Sequence, residues 1–164
     1  MTDSSHNTDG HAGGRAPAGF ELGTDGPRTI VVGLDGSESS YHAAAYGAGL
    51  ARRQGARVAF VYVQPVLAAN AMLAAAAQAT TQEVAEGLLN EIRQAVERLG
   101  DLRSLRWEFH TFQGDPYHAL AKTADDLKAD AVIVGVSEHV GHRIVGSVAV
   151  RLVRAGRWPV TVVP

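Results

Sequence analysis

The chain contains no cysteine among its 164 residues. Disulfides, cysteine-ligated zinc and thiol nucleophiles are thereby excluded, and the absence fits a reducing, cytoplasmic setting. No apolar run approaches the roughly 20 residues that a membrane helix needs. The alanine-rich stretch 66–79 is interrupted by Asn70 and Gln78. The first residues lack the basic-then-apolar order of a signal peptide. An excess of one charge is lacking too. The formal net charge is -2 and the pI about 6.4, which gives no bulk attraction to nucleic acid or to a membrane surface. There is no internal repeat, no H-E-x-x-H metal motif and no G-x-S-x-G nucleophile elbow.

What is present suits one globular domain: 46% of the residues are hydrophobic and 20% are charged. Residues 1–27 are rich in Gly, Ser, Asp and Thr and poor in aliphatics. They cannot bury enough surface to offset chain entropy, so a disordered tail is expected there, with a folded domain over 28–164. His6 and His11 in that tail are read as solvated rather than as metal ligands.

Order is expected from Thr29. TIVVGLD is a β-branched run and reads as a buried strand. Ser37 then caps a helix that carries Glu38 in its first turn, Arg52 and Arg53 near its end, and Gly55 just beyond. ARVAFVYV is a second strand, ended by Pro65. Residues 66–79 read as a loop or a loose alanine helix. Thr80 and Glu83 form a capping-box pattern, followed by Val84, Leu88, Leu89, Ile92, Val96 and Leu99 at helical spacing. Gly100 and Asp101 end that helix. LRWEFHTF alternates through Leu105, Trp107, Phe109 and Thr111, as a strand near a sheet edge does. Asp115 as N-cap and Pro116 at the first helical position open the next helix. DAVIVGV is a fourth strand, buried on both faces. After a loop, a helix runs from about Gly146 to Ala155, and WPVTVV closes the series.

Strands alternating with helices imply a parallel sheet, and ligands of such sheets sit beyond the strand C-termini where the strand order reverses. Gly33–Gly36 and Gly135–Ser147 are the two segments that fit that place.

The pieces IVVGLDGSESS, GARVAFVYVQP, GDPYHALAKTADDLKADAVIVG and GSVAVRLVRAGRWPVTVVP, in that order and spacing, resemble the universal stress protein family over residues 28–164. The resemblance implies an α/β fold: a single doubly wound five-stranded parallel sheet, ordered 3-2-1-4-5, with helices on both faces, Rossmann-like in the manner of the adenine nucleotide alpha hydrolases. It implies a homodimer paired through the last strand near Trp158–Val163. One class of the family binds ATP through a loop G-x2-G-x9-G-[ST], and another class does not.

By the same resemblance the cofactor contacts fall at Asp35, Val63, Gly135, Glu138, Gly146, Ser147 and Val148. The chain departs from the loop pattern twice. Glu138 stands at the second glycine, and only seven residues separate it from Gly146, two fewer than the pattern has. A carboxylate ~4 Å from a phosphate charge costs roughly 4 kcal/mol at an effective dielectric of about 20, some three decades of affinity. A bridging Mg²⁺ reverses that sign by making Glu138 a ligand, and His139, His142 and Arg143 can offset the charge.

Bland readings stand beside these. Asp35 either contacts adenosine or bonds nearby backbone N–H groups in a strand-to-helix turn. Ser147 either caps the last helix or, as the resemblance implies, meets a phosphate or is itself phosphorylated. His42 and His118, with Asp35 and Glu138, can be drawn as a metal or acid–base site, yet they read more simply as surface histidines near helix starts. Arg151, Arg154 and Arg157 read as a solvated basic stripe that complements a helix dipole.

Three functions remain in view. The first is a non-enzymatic stress-response regulator, cytoplasmic and homodimeric, with weak or absent nucleotide binding and an unidentified protein partner. The second is a sensor of ATP with Mg²⁺ or of a cyclic nucleotide. The third, a small-molecule enzyme on the same sheet such as a slow nucleotide hydrolase, ranks last for want of a nucleophile or metal set. The two loop departures favour the first.

Overall fold

The computed structural model describes residues 26–64, 71–98, 105–139, 142–144 and 146–164. The expected tail therefore lies outside the described residues, apart from Gly26 and Pro27.

Runs of β-branched and other apolar residues build the centre of the sheet. Strands β1 (Thr29–Leu34), β2 (Arg57–Gln64) and β3 (Arg106–Gln113) pair in parallel, β2 with β3 along its whole length. On the other side β1 pairs with β4 (Ala131–Gly135), and β4 with β7 (Val160–Val163). The order is β3-β2-β1-β4-β7. This is the expected 3-2-1-4-5 arrangement, with the fifth large strand numbered seventh because a small hairpin precedes it.

Both faces of the central strands are buried, which explains their unbroken apolar runs. Ile30, Val32, Val58 and Phe60 face α1 (Glu38–Gln54) and α2 (Ala71–Arg98) through Ala43, Ala51 and Ile92. Val31, Ala59, Val61 and Val132 face α3 (Pro116–Asp126) and α4 (Ser147–Ala155) through Leu120, Ala124 and Leu152. Each large aliphatic chain buried this way contributes about 1.5–3 kcal/mol relative to exposure. The shell of α1 and α2 on one side and α3 and α4 on the other makes the sheet doubly wound.

Helix ends follow their local chemistry. Ser37 caps α1 by accepting from Ser40 N, and Gly55 closes it. Asp115 caps α3 by accepting from His118 N, with Pro116 at the first position.

The structure corrects the sequence reading in three places. First, α2 begins at Ala71 and runs through Thr80 and Glu83, so no capping box starts it there. Alanine is the best helix former, and once a helix is nucleated each added residue gains a hydrogen bond. Second, Val84 is 43% exposed, and the buried stripe of α2 runs through Ala85, Leu88 and Ile92 instead. The expected stop at Gly100 and Asp101, and Leu99 before it, lie outside the described residues, as do residues 66–70. Third, the presumed loop after β4 contains two strands, β5 (Ser137–His139) and β6 (His142–Ile144), paired antiparallel with Glu138 opposite Arg143. Two residues separate them, a common hairpin spacing.

Candidate functional site

The strand order reverses between β1 and β4, and a cavity of about 160 Å³ opens there at their C-terminal ends. Its lining includes Asp35, Val63, Gly135, Gly146, Ser147 and Val148. Six of the seven residues singled out in the sequence thus surround one space. The seventh, Glu138, is placed by its backbone in β5. Ser40, Pro116 and Ser137 also line the cavity and carried no motif that pointed to them.

Asp35 follows β1 and makes the turn into α1. Its Oδ1 accepts from Ser37 N at 2.9 Å and from Ser37 Oγ at 2.6 Å. This is the Asx-type turn of the bland reading. It occupies one carboxylate oxygen and leaves the exposed side chain a second acceptor. Ser39 Oγ donates to Val136 O at 2.7 Å and lies 3.1 Å from Ser37 Oγ. Two hydroxyl protons are thus distributed among Asp35, Val136 O and each other. The chain of contacts ties the start of α1 to the end of β4. Beneath it, burial and then the charge of Asp35 push the Tyr62 phenol above its ordinary pKa.

Both glycines of the cradle are accounted for by packing within the protein. A Cβ at Gly135 would lie 2.6 Å from the carbonyl carbon of Ser39 and 2.8 Å from its oxygen. A Cβ at Gly146 would lie 2.9 Å from Ser137 Cβ. The sequence signal for phosphate approach is therefore also a signal for tight packing, against backbone at Gly135 and against the Ser137 side chain at Gly146.

The N-cap of α4 is Gly146, not Ser147, and it supplies no side-chain hydrogen bond. Ser147 is the first helical residue and is exposed. The expectation that its hydroxyl caps the helix is thus overturned, because a hydroxyl at the first helical position sits one residue past the place from which it reaches the N–H groups of the following turn. Val150 N bonds back to Gly146 O at 3.1 Å. The N–H groups of Ser147, Val148 and Ala149 precede the first intrahelical bond. They form the positive end of the helix at the cavity wall.

The neighbouring wall is held by ion pairs. Arg151 Nη1 donates to Asp115 Oδ2 at 2.6 Å, and its guanidinium lies 4.3 Å from the Tyr117 ring centre. The Arg151 bond, helped by the His118 N–H, keeps the Asp115 carboxyl below its ordinary pKa despite partial burial. Arg157 donates to Asp125 and lies over Trp158. Two of the three arginines read as a solvated stripe therefore join α4 and its end to α3. Arg151 and, just past the end of α4, Arg157 looked like part of a charge stripe because their carboxylate partners lie 36 and 32 positions away in the chain.

The two histidines do not converge on Asp35. His42 Nδ1 lies 2.9 Å from Pro164 O, and His118 Nδ1 lies 3.2 Å from Asp115 Oδ1. Among the described residues no group of three or more His, Cys, Asp or Glu is placed to hold a metal ion. Nor is any helix among them long and apolar enough to cross a membrane.

The chain can be set beside known proteins on this geometry. A universal stress protein of Methanocaldococcus jannaschii is 28% identical over 142 residues, covering 83% of this chain and 81% of that protein. The structure of UspA from Lactobacillus plantarum shares the fold with a TM-score of 0.72 at 20% identity, covering 84% of this chain and 97% of that one. A universal stress protein solved in complex with cAMP is 26% identical with a TM-score of 0.61, covering 85% of this chain and 98% of that one. The sequence model of the universal stress protein family matches residues 26–164, and the chain belongs to that family.

Proposed function

We propose that this chain is a non-catalytic stress-response regulator that acts as a homodimer and takes an adenine nucleotide with a single phosphate, weakly, in the cavity between β1, β4 and α4. The observation that carries the nucleotide is the uncapped start of α4. Gly146 contributes no side-chain cap, so the first N–H groups of the helix are left for an anion at the cavity wall. Val61 and Val63 supply an apolar floor, and the second oxygen of Asp35 supplies an acceptor for a ribose hydroxyl. A similar protein has been solved with cAMP.

A single phosphate is favoured over Mg-ATP because the loop that would follow a triphosphate is here a hairpin, β5 and β6, with its backbone paired to itself. Binding is weak because about 160 Å³ is less than the roughly 300–1,000 Å³ of sites that enclose small ligands. The cavity must widen first.

One observation favours a second reading, in which the fold persists without a nucleotide. Gly135 and Gly146 are each filled by serine atoms of the protein itself. Isothermal titration of AMP, cyclic AMP and ATP, with and without Mg²⁺, decides between the two. Heat from AMP or cyclic AMP, exceeding that from Mg-ATP, supports the first. No heat, with an unchanged melting temperature at millimolar nucleotide, supports the second.

The homodimer rests on β7. It is an edge strand, Val160–Val163, whose residues are all half-buried and which pairs only with β4 among the described residues. An apolar edge needs a cover, and a second copy of the same strand provides one. Sedimentation at rising concentration should show a dimer; a monomer throughout would refute this.

A further inference from the structure

At the other end of the sheet, where the strands begin, four arginines line an open groove of about 830 Å³: Arg28, Arg53, Arg57 and Arg106. The chain as a whole carries a formal net charge of -2, so this is a local concentration of positive charge and not a general basicity.

The register makes the concentration costly. Arg57 on β2 lies directly beside Arg106 on β3, at the roughly 4.8 Å spacing of neighbouring strands. Like charges in that relation repel. The protein compensates only in part. Arg57 Nε lies 3.8 Å from Glu108 Oε1, with both side chains partly exposed. Arg106 donates to the carbonyl of Gly55 at 2.6 Å, a neutral partner. The nearby carboxylate of Asp130 is engaged by the backbone N–H groups of Arg28 and Thr29. Arg53 has no carboxylate partner among the described residues. Its place in the last turn of α1 complements the helix dipole, but Arg57 and Arg106 stand on strands and have no such role.

We propose that this groove binds a small polyanion bearing adjacent phosphate groups. Guanidinium forks match phosphate oxygens and hold them in pairs. An anion with more than one charge relieves the Arg57–Arg106 repulsion, which the single Glu108 carboxylate, shared between Arg57 and His110, offsets only in part. Among the described residues no aromatic ring lines the groove, so the recognised part is the anion itself and not a base. The site is separate from the cavity at the strand C-termini and does not depend on the nucleotide reading.

The probe is inorganic pyrophosphate, titrated calorimetrically into the full chain at low salt. One site per chain is expected, weakening as salt rises and undisturbed by saturating cyclic AMP. Arg53→Gln and Arg57→Gln should each weaken binding on the order of tenfold, the worth of one charge-assisted hydrogen bond. Arg57→Lys keeps the charge and loses the fork, so it should fall between wild type and Arg57→Gln. If Arg57→Gln does not fold, Arg53→Gln and Arg57→Lys decide. Absence of binding, affinity unchanged in the arginine variants, or displacement by cyclic AMP would each overturn the assignment.

Discussion

Arg151 and Asp115 close a bridge between two helices that follow different strands: the guanidinium on α4 donates to the carboxylate that caps α3, at 2.6 Å. One carboxylate thus serves two elements, with Oδ1 on the helix start and Oδ2 on the neighbour.

That division can be separated by substitution. Asp115→Ala removes both roles, whereas Asp115→Asn keeps a good cap and loses the charge. Cap loss costs about 0.5–2 kcal/mol and an exposed ion pair about 0.2–1 kcal/mol. Urea unfolding at neutral pH should therefore show the alanine variant clearly weaker and the asparagine variant only slightly weaker. Because Asp115 has a lowered folded pKa, its contribution is full above the ordinary carboxylate pKa of about 3.9. It fades as pH falls through the lowered value, so wild type and Asp115→Asn should converge in acid.

Tyr41 acts at the alkaline end. Burial, then a hydrogen bond to Glu91 and the charge of that residue, push its phenol up to about 12. A raised folded pKa gives stability that is complete below the ordinary value of about 10 and is lost as pH rises toward about 12. Tyr41→Phe should remove that part of the alkaline decline. Denaturation midpoints for both proteins between pH 9 and 11.5 check it, and parallel curves would contradict it.

Gly135→Ala tests the crossing of β4 and α1. The new methyl group meets the backbone of Ser39 at 2.6 Å, so the main chain must move, at a cost of about 1–3 kcal/mol. Ser39→Ala should rescue it only in part, because it removes the hydroxyl at 2.8 Å and leaves the carbonyl carbon at 2.6 Å. A double-mutant cycle in urea gives the answer; full rescue would mean that the side chain, not the backbone, sets the spacing.

Ser147→Ala separates stability from binding. Ser147 does not cap α4, so its loss should change stability by less than about 0.5 kcal/mol. Ser147 lines the cavity at the start of α4, so affinity for cyclic AMP should fall several-fold. A melting shift equal to that of a lost cap, with binding unchanged, would reverse both statements.

The central strands β1, β2 and β4 were readable from sequence because they are buried on both faces and announce themselves as apolar runs, and β3 because it alternates as an edge strand does. The caps at Ser37 and Asp115 were readable because each needs only its own first turn. The start of α2 was not, since Ala71 to Ala79 carry no amphipathic stripe and only the helix propensity of alanine marks them. The hairpin hid in a segment that family resemblance casts as a loop. Cavity residues such as Asp35, Val63 and Gly146 could be named in advance, but the reason for the glycines could not. Ser39 and Ser137 become their neighbours only after β4 and α4 are placed.

The position of β1 has a consequence for how the molecule is made. The strand that leads the fold lies in the middle of the sheet, and its first residue, Thr29, donates its N–H to Asp130, 101 positions later. During synthesis β1 and β2 can pair early, but the other side of β1 has no neighbour until β4 has left the ribosome. Closing so wide a loop is entropically costly, and contacts of this range slow folding. Until then Ile30, Val31 and Val32 form one exposed apolar ribbon, open to any other unpaired strand in the cell.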